Sequence, residues 1–540
     1  MTRIFASAPS LVALALLLGC GGRNTASITQ GAGGDLGPAS GGDSSAGSAG
    51  VPGGAGGSAG AAAAGTGGAM AGSAGMAVMM PTPNGGTGGA PAITCPVVDT
   101  DAGVDTDAGV GDAGTPTYPT TCEEIGTDAP QPPAICATVK ATRSAPNGVL
   151  SDQSTVDTFS IQSAITACCA GQAVELAPDG DNDAFLSGAL NLKPGVSLVI
   201  DQGVTVFASR NPRDFGATCN GTANAKCGAL ITVSGGANMG IYGAGTLDGQ
   251  GGQTIIGIDP PISWWDQENA LNGDLVAPRL IQVNGSPGFV LQGIKLQSAP
   301  KFHIVFQGIN GFTVWGITIH TDPKSPNTDG FDPSGCTNGV IAYNNISTGD
   351  DNIALKGSGA IDNLIIVHNH FGKGHGMSIG SETNAGVQNV KVCDLSLDGT
   401  QNGIRIKSDV SRGGEVKNIS YTDVCMRSVS NPLVFNPFYD KTATGTLIPY
   451  FHDISLKNIH MLGAGTLTFR GYDATRVFTA TLDNVIFDDA ANVAYKGQDA
   501  SLTFGPGPVN IDPTGTDITV TNNVTNTDPP LDCTNAWVTF

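Results

Sequence analysis

The chain has 540 residues, a formal net charge of −21 and 78 glycines, which are densest near the N-terminus. A nucleic-acid partner is excluded as a first reading, because binding phosphate needs concentrated Lys and Arg. The uneven glycine argues for one large folded domain behind a tail rather than two or three equal domains.

Residues 1–20 read as an export signal, with Arg3 ahead of the apolar run Leu11–Leu18. The closing Leu17-Leu18-Gly19-Cys20 resembles a bacterial lipoprotein box, so Cys20 is the expected lipidation site and the outer membrane the expected anchor. An exported, cell-surface lipoprotein is the first expectation and a freely secreted protein the second. Residues 21–121 are expected to be a flexible linker, first rich in Gly, Ala and Ser and then acidic, because such a composition buries too little apolar surface to offset chain entropy. Its Asp-Thr-Asp-Ala-Gly-Val, present at 99–104 and again at 105–110, lacks the closing Glu of a calcium loop and reads as spacer.

The folded domain is expected over 122–540. Twelve Cys suit an oxidising compartment, and setting Cys20 aside leaves eleven, so at least one is unpaired within the chain. Cys219 and Cys227 are the most local candidate pair, and Cys393 with Cys425 is a candidate bridge between neighbouring repeats. The apolar spacing of Ile161, Ala164, Ile165 and Cys168 predicts a short helix over 156–170, capped at Ser154.

Ten-residue segments then recur: Met239–Asp248, Gly288–Gln297, Gly311–His320, Gly339–Thr348, Asn363–Gly372, Asn389–Asp398, Asn418–Arg427, Asp453–Leu462 and Ala480–Asp489. From Gly288 their starts lie 23 residues apart at the closest, Gly288 to Gly311, and 35 at the widest, Asn418 to Asp453. Each segment holds β-branched runs interrupted by a small or polar residue. A β-sandwich turns about every 8 to 12 residues without a longer repeat, whereas an all-β solenoid of parallel strands has this period. The expected architecture is a single-stranded parallel β-helix whose open N-terminal end is covered by the short helix. Asn344-Asn345, Asn369 and Asn418 are expected at turns with left-handed backbone angles.

Four polar clusters follow these segments at the same point of successive coils. They are Asn327-Thr328-Asp329-Gly330, Gly349-Asp350-Asp351-Asn352, Gly374-His375-Gly376 and Arg405-Ile406-Lys407. Stacking of coils places Asp329, Asp351, His375 and the Arg405/Lys407 pair on consecutive rungs. Asp350 and Asp351 can both face a cleft only from a bend or bulge, which Gly349 permits. Crowded carboxylates cannot all ionise, so one site gains both an acid and a base. Glycoside cleavage uses that combination, and a neighbouring Arg/Lys pair suits an anionic sugar.

These clusters, in this order, resemble the four signature motifs of the polygalacturonases, glycoside hydrolase family 28. The longer runs at 327–333, 348–356 and 374–382 look like bacterial members, and 245–251 and Trp264-Trp265 also look like family features. The resemblance spans about 134 to the C-terminus. It implies a right-handed β-helix that hydrolyses α-1,4-linked galacturonate in pectin with inversion. A monomer without cofactor or metal is expected, with endo action the first reading and exo action left open by the sequence. Carried over by position, Asp350 is the implied general acid, and Asp329 with Asp351 activates water. His375 supports the protonation of the acid, Arg405 and Lys407 bind a substrate carboxylate, Tyr439 contacts substrate, and Asn327 orients Asp329. Gln297-Ser298-Ala299-Pro300 departs from the Asn-Ser-Pro of many relatives. His303, nearby, has two readings, a cleft-lining residue or a structural histidine beside Phe302.

Two other functions stay open on sequence. A calcium-dependent pectate lyase is also a β-helix with clustered Asp and a basic residue, although Gly374-His375-Gly376 fits hydrolysis better. A tethered glycan-binding β-helix suits the linker, yet aromatic residues make up only 6% of the chain.

Overall fold

The computed structural model describes residues 117–540, apart from 224, 272 and 274. The export signal, Cys20, Cys95, the acidic repeat and the linker up to 116 lie outside the described residues.

Among the described residues thirty strands wind into one right-handed parallel β-helix. Three ladders run along it. One begins with Ile135–Lys140, Gln172–Ala177 and Val196–Ile200 and continues through Gly240–Gly243, Phe289–Gln292, Asn310–Trp315 and Thr337–Ala342. A second includes Thr246–Asp248, Lys295–Gln297, Thr318–His320 and Asn345–Ser347. Strand Ile361–Phe371 pairs with both Thr337–Ala342 and Asn345–Ser347, so the two ladders merge there into single long strands. The recurring ten-residue segments are therefore two short strands in the early coils and most of one long strand in the later ones.

The third ladder carries the polar clusters. Its rungs are Ile281–Asn284, Ile304–Gln307, Phe331–Ser334, Ile353–Leu355, Met377–Ile379, Asn402–Lys407, Asn431–Asn436 and Thr466–Arg470. In-register pairing stacks Ile281, Ile304, Phe331, Ile353, Met377, Ile404 and Leu433 in one fully buried column. Each such side chain contributes about 1.5–3 kcal/mol by leaving water. A one-residue slip would turn the whole column outward, and this fixes where the polar neighbours point.

Helix Thr158–Ala167 packs on the first-coil strands Ile135–Lys140, Gln172–Ala177 and Leu190–Leu192, and Ile161 and Ile165 are fully buried beneath it. It covers the open end. Its N-cap is Asp157 rather than Ser154, which bonds to Asp152 instead. The Asp157 carboxylate accepts from Leu186 N at 2.8 Å and from Thr142, so it joins the helix start to the coil and makes no capping bond to the helix itself.

The asparagines divide into two roles. Asn338, Asn363, Asn389 and Asn418 have positive φ and share one register position. Asn344 and Asn369 do not adopt this conformation, and the residues before them, Tyr343 and His368, do so instead. Fully buried, the two amides bond each other at 2.9 Å and donate to Val314 O and Ile341 O, satisfying backbone groups at the corner.

Cys219 pairs with Cys227 as expected. The proposed Cys393–Cys425 bridge does not form: Cys393 bonds Cys122, and Cys425 bonds Cys533. These two bridges fasten the segments before and after the solenoid to its outer wall. Cys136 pairs with Cys168, Cys169 is also disulfide-bonded, and Cys336 is free and buried.

Candidate active site

Asp329, Asp351 and His375 each stand two residues before the paired positions Phe331, Ile353 and Met377, so they occupy one column on consecutive rungs. Backbone bonds continue that column beyond the strands, from Gly330 N to Asp351 O and from His375 N to Asp350 O, both 2.9 Å. Asp350 and Asp351 lie at a bend just before Ile353. Gly349 allows the bend by its lack of a side chain rather than by unusual backbone angles, since an added Cβ would strike Ser325. Thr328 Oγ1 accepts from Gly349 N at 3.1 Å and so ties the first cluster to the second. Asn352, fully buried, donates to Ile346 O and Lys373 O and accepts from Gly376 N, all at 2.9 Å, tying the second to the third. His375 is held between two positive-φ glycines, Gly374 and Gly376, where a Cβ would meet Asn352 and Asn402.

His375 Nδ1 lies 2.8 Å from Asp350 Oδ1, and both side chains keep partial access to solvent. Asp351 is buried, with both carboxylate oxygens engaged. Lys407 Nζ reaches its Oδ2 at 2.8 Å, while its Oδ1 accepts from Ser378 Oγ at 2.8 Å and from Arg405 at 3.5 Å. Arg405 and Lys407 therefore share a face as expected, and they already hold a carboxylate of the protein. Tyr439 covers them, its ring centroid 5.4 Å from the Arg405 guanidinium and 5.0 Å from Lys407 Nζ.

The four clusters thus converge with Tyr439. Asn327 joins them differently from expectation. Its Nδ2 donates to Glu268 Oε1 at 2.6 Å, and Lys301 Nζ bonds the same oxygen at 3.0 Å. Asn327 is anchored to a buried ion pair instead of to the Asp329 carboxylate. Glu268 comes from helix Trp264–Ala270, capped by Ser263, in which Trp265 Nε1 donates to Ala299 O at 2.9 Å. The Gln297-Ser298-Ala299-Pro300 departure lies against this helix, with Gln297 bonded to Asp248 at 2.9 Å. His303 is structural. It is fully buried behind Asp329, with Nδ1 3.0 Å from Asp329 O and Nε2 2.7 Å from Thr321 Oγ1. Burial lowers its pKa to about 4, against backbone contacts that raise it.

Sequence reasoning left four participants without a role. Asp332 is buried one position after Phe331, with one carboxylate oxygen unbonded among the described residues. Lys356 lies 3.8 Å from Asp329 and 3.9 Å from Glu382, and Ser378 holds Asp351. Asp332, Lys356 and Glu382 all lie within the quoted motif runs, but only the ladder register brings them together.

Electrostatics divides the carboxylates. Burial, reinforced by Asp332 and Asp350, pushes Asp329 well above the usual carboxylate range. Burial likewise raises Asp332 to about 7 despite Lys356. For Asp350, burial pushes upward, but the charge and hydrogen bond of His375 outweigh it and leave the carboxyl below its ordinary value. Asp351 is lowered too, burial being overcome by Lys407 and Arg405. Burial depresses the His375 imidazole, yet Asp350 prevails and raises it. Proton affinity is thus raised at Asp329 and His375 and lowered at Asp350 and Asp351. Metal-donor atoms of Asp350, Asp351 and His375 lie within 4.8 Å of one another. Lys407, Arg405 and Ser378 already engage both oxygens of Asp351, and His375 engages one oxygen of Asp350.

Residues 173–476 match glycosyl hydrolases family 28. The chain is 43% identical over 484 residues to a polygalacturonase of Ralstonia nicotianae, covering 76% of this chain and 90% of that protein. It is 42% identical over 367 residues to an endo-polygalacturonase of Pectobacterium carotovorum subsp. carotovorum, covering 66% and 87%. Among solved structures, a polygalacturonase from Erwinia carotovora ssp. carotovora matches with a TM-score of 0.64 at 39% identity, covering 70% of this chain and 99% of that one.

Proposed function

The chain belongs to glycosyl hydrolases family 28, and from that premise we propose that it degrades pectin by hydrolysing α-1,4 bonds within polygalacturonate, with inversion. The observation that carries this reading is the adjacency of three carboxylates of unequal proton affinity to a cation pair under an aromatic ring. Asp350 is the acid. Its proton belongs to the pair it forms with His375 rather than to either residue alone, and the 2.8 Å bond lets that proton pass to the leaving oxygen through Asp350. Asp351, kept ionised by Lys407 and Arg405, accepts a proton from the attacking water. Asp329, adjacent in the same column, positions that water and takes part in the proton balance. Arg405 and Lys407 meet a substrate carboxylate at the edge they present toward Tyr439. The Pectobacterium relative supports endo action.

The test is digestion of polygalacturonate with and without chelator. Hydrolysis releases new reducing ends without an ultraviolet-absorbing unsaturated product, unaffected by chelator; a calcium-dependent lyase gives the opposite on both counts. Early accumulation of mixed oligomers, rather than monomer alone, marks endo cleavage.

The residues at the N-terminus support export, lipidation of Cys20, and attachment of a monomeric catalytic domain to the outer membrane through the 21–121 linker. Fatty-acid labelling that persists in Cys20→Ala would contradict the lipid assignment.

A further inference from the structure

The cation–aromatic arrangement over Arg405 and Lys407 occurs a second time further along the same ladder. Lys407 pairs with Asn436, and the pairing of Val434 with Thr468 and of Phe435 with Phe469 carries that register to Arg470, which pairs in turn with Gln498. Arg470 thus stands in the Lys407 column two rungs on, about 10 Å at the spacing of parallel strands. The short segment following strand Asn431–Asn436 serves both places: Tyr439 covers Arg405 and Lys407, and its neighbour Phe438 lies 4.6 Å from the Arg470 guanidinium. Tyr472 extends the platform, its ring stacked on Phe438 at 5.3 Å and 18°.

Arg470 differs from the other arginines of the later coils in charge balance. Arg405, Arg412, Arg427 and Arg476 each pair with a carboxylate. Among the described residues Arg470 has no such partner: its bond is to the neutral Gln498 Oε1, at 2.8 Å, and burial alone acts on its guanidinium. A half-buried cation without an anion carries a desolvation cost that an incoming carboxylate would offset.

We propose that Arg470, with Phe438 and Tyr472, forms a further subsite that binds the carboxylate of a uronate unit beyond the one held by Arg405 and Lys407. A linked sugar unit is of the same order as a strand spacing, about 5 Å, so a chain lying along the ladder reaches Arg470 only when it extends past the reaction centre. The subsite makes the enzyme favour long, unesterified stretches of substrate. This inference rests on the proposed activity toward polygalacturonate.

Steady-state kinetics on unesterified oligogalacturonates of increasing length provide the test. Wild-type kcat/KM rises with each added unit until the one that reaches Arg470. Arg470→Gln keeps the wild-type value on the shortest cleaved oligomer and loses about tenfold on long ones, the scale of one charge-assisted hydrogen bond. Wild-type protein acting on a long oligomer with its terminal carboxyl reduced to the alcohol shows the same loss, a measurement that does not depend on folding of a variant. Length profiles of R470Q and of the reduced oligomer that superimpose on the wild-type profile overturn the subsite while leaving the activity standing. Absence of cleavage by wild type at every length overturns the activity, and the subsite with it.

Discussion

Replacing His375 by Ala separates the proposed proton store from the carboxylate that uses it. In the intact site the Asp350–His375 pair keeps its proton up to the imidazole's own pKa, which Asp350 raises above the ordinary 6.5. Removing the ring deletes a charge-assisted hydrogen bond of 2.8 Å between partly buried groups, worth about 1.5–3 kcal/mol and so one to two pH units of proton affinity. Burial then pushes the Asp350 carboxyl upward with only Lys407 and the Asp351 amide opposing it. The variant must hold its proton on a carboxyl alone, which loses it at a lower pH than the raised imidazole. The alkaline limb of the kcat profile should therefore move toward acid, with activity at about pH 7 falling at least tenfold further than activity at about pH 5. Initial rates of reducing-end release across this range provide the assay. A ratio of wild-type to H375A rates that stays constant with pH would refute the shared-proton argument and leave His375 a purely structural role.

Two further consequences concern stability. Glu268→Gln leaves the Lys301 ammonium buried without its counter-charge, so the variant should lose about 3 kcal/mol, read as a lower midpoint in thermal or denaturant unfolding; an unchanged midpoint would show that the pair is not a stabilising anchor for Asn327. His303 is neutral in the fold down to about 4, against an ordinary 6.5. The unfolded chain thus binds this proton first, and stability is full above about pH 6.5 and declines as pH falls toward 4, by about 3 kcal/mol in total. His303→Asn should remove that part of the pH dependence, and an identical slope in both proteins would count against it.

The solenoid was legible because its period is written in apolar residues that repeat at one register, from Gly288 onward, and because the clusters fall at one point of each coil. The position of Asp329, Asp351 and His375 in one column followed from that spacing. What escaped was the partner of each polar side chain. Asn344 and Asn369 have the composition of left-handed corners, yet the same amide can serve buried backbone groups, and only packing selects between these uses. Asn327 sits beside Asp329 in sequence but is held by Glu268, 59 residues away. Ser154 satisfies the rule for a helix cap, while Asp157 takes the position because its carboxylate binds Leu186. Lys356 between Asp329 and Glu382 joins three coils, a relation that no local spacing records.

The central claim is that this cleft hydrolyses polygalacturonate by proton transfer at Asp350, and Asp350→Asn tests it most directly. The amide keeps the shape of the side chain but removes its acid function, so oligogalacturonate binding, measured by calorimetry, should stay within a few-fold of wild type. Release of reducing ends should fall by two to four orders of magnitude, the range of general acid catalysis. Turnover at the wild-type rate by D350N, with binding intact, would contradict the account.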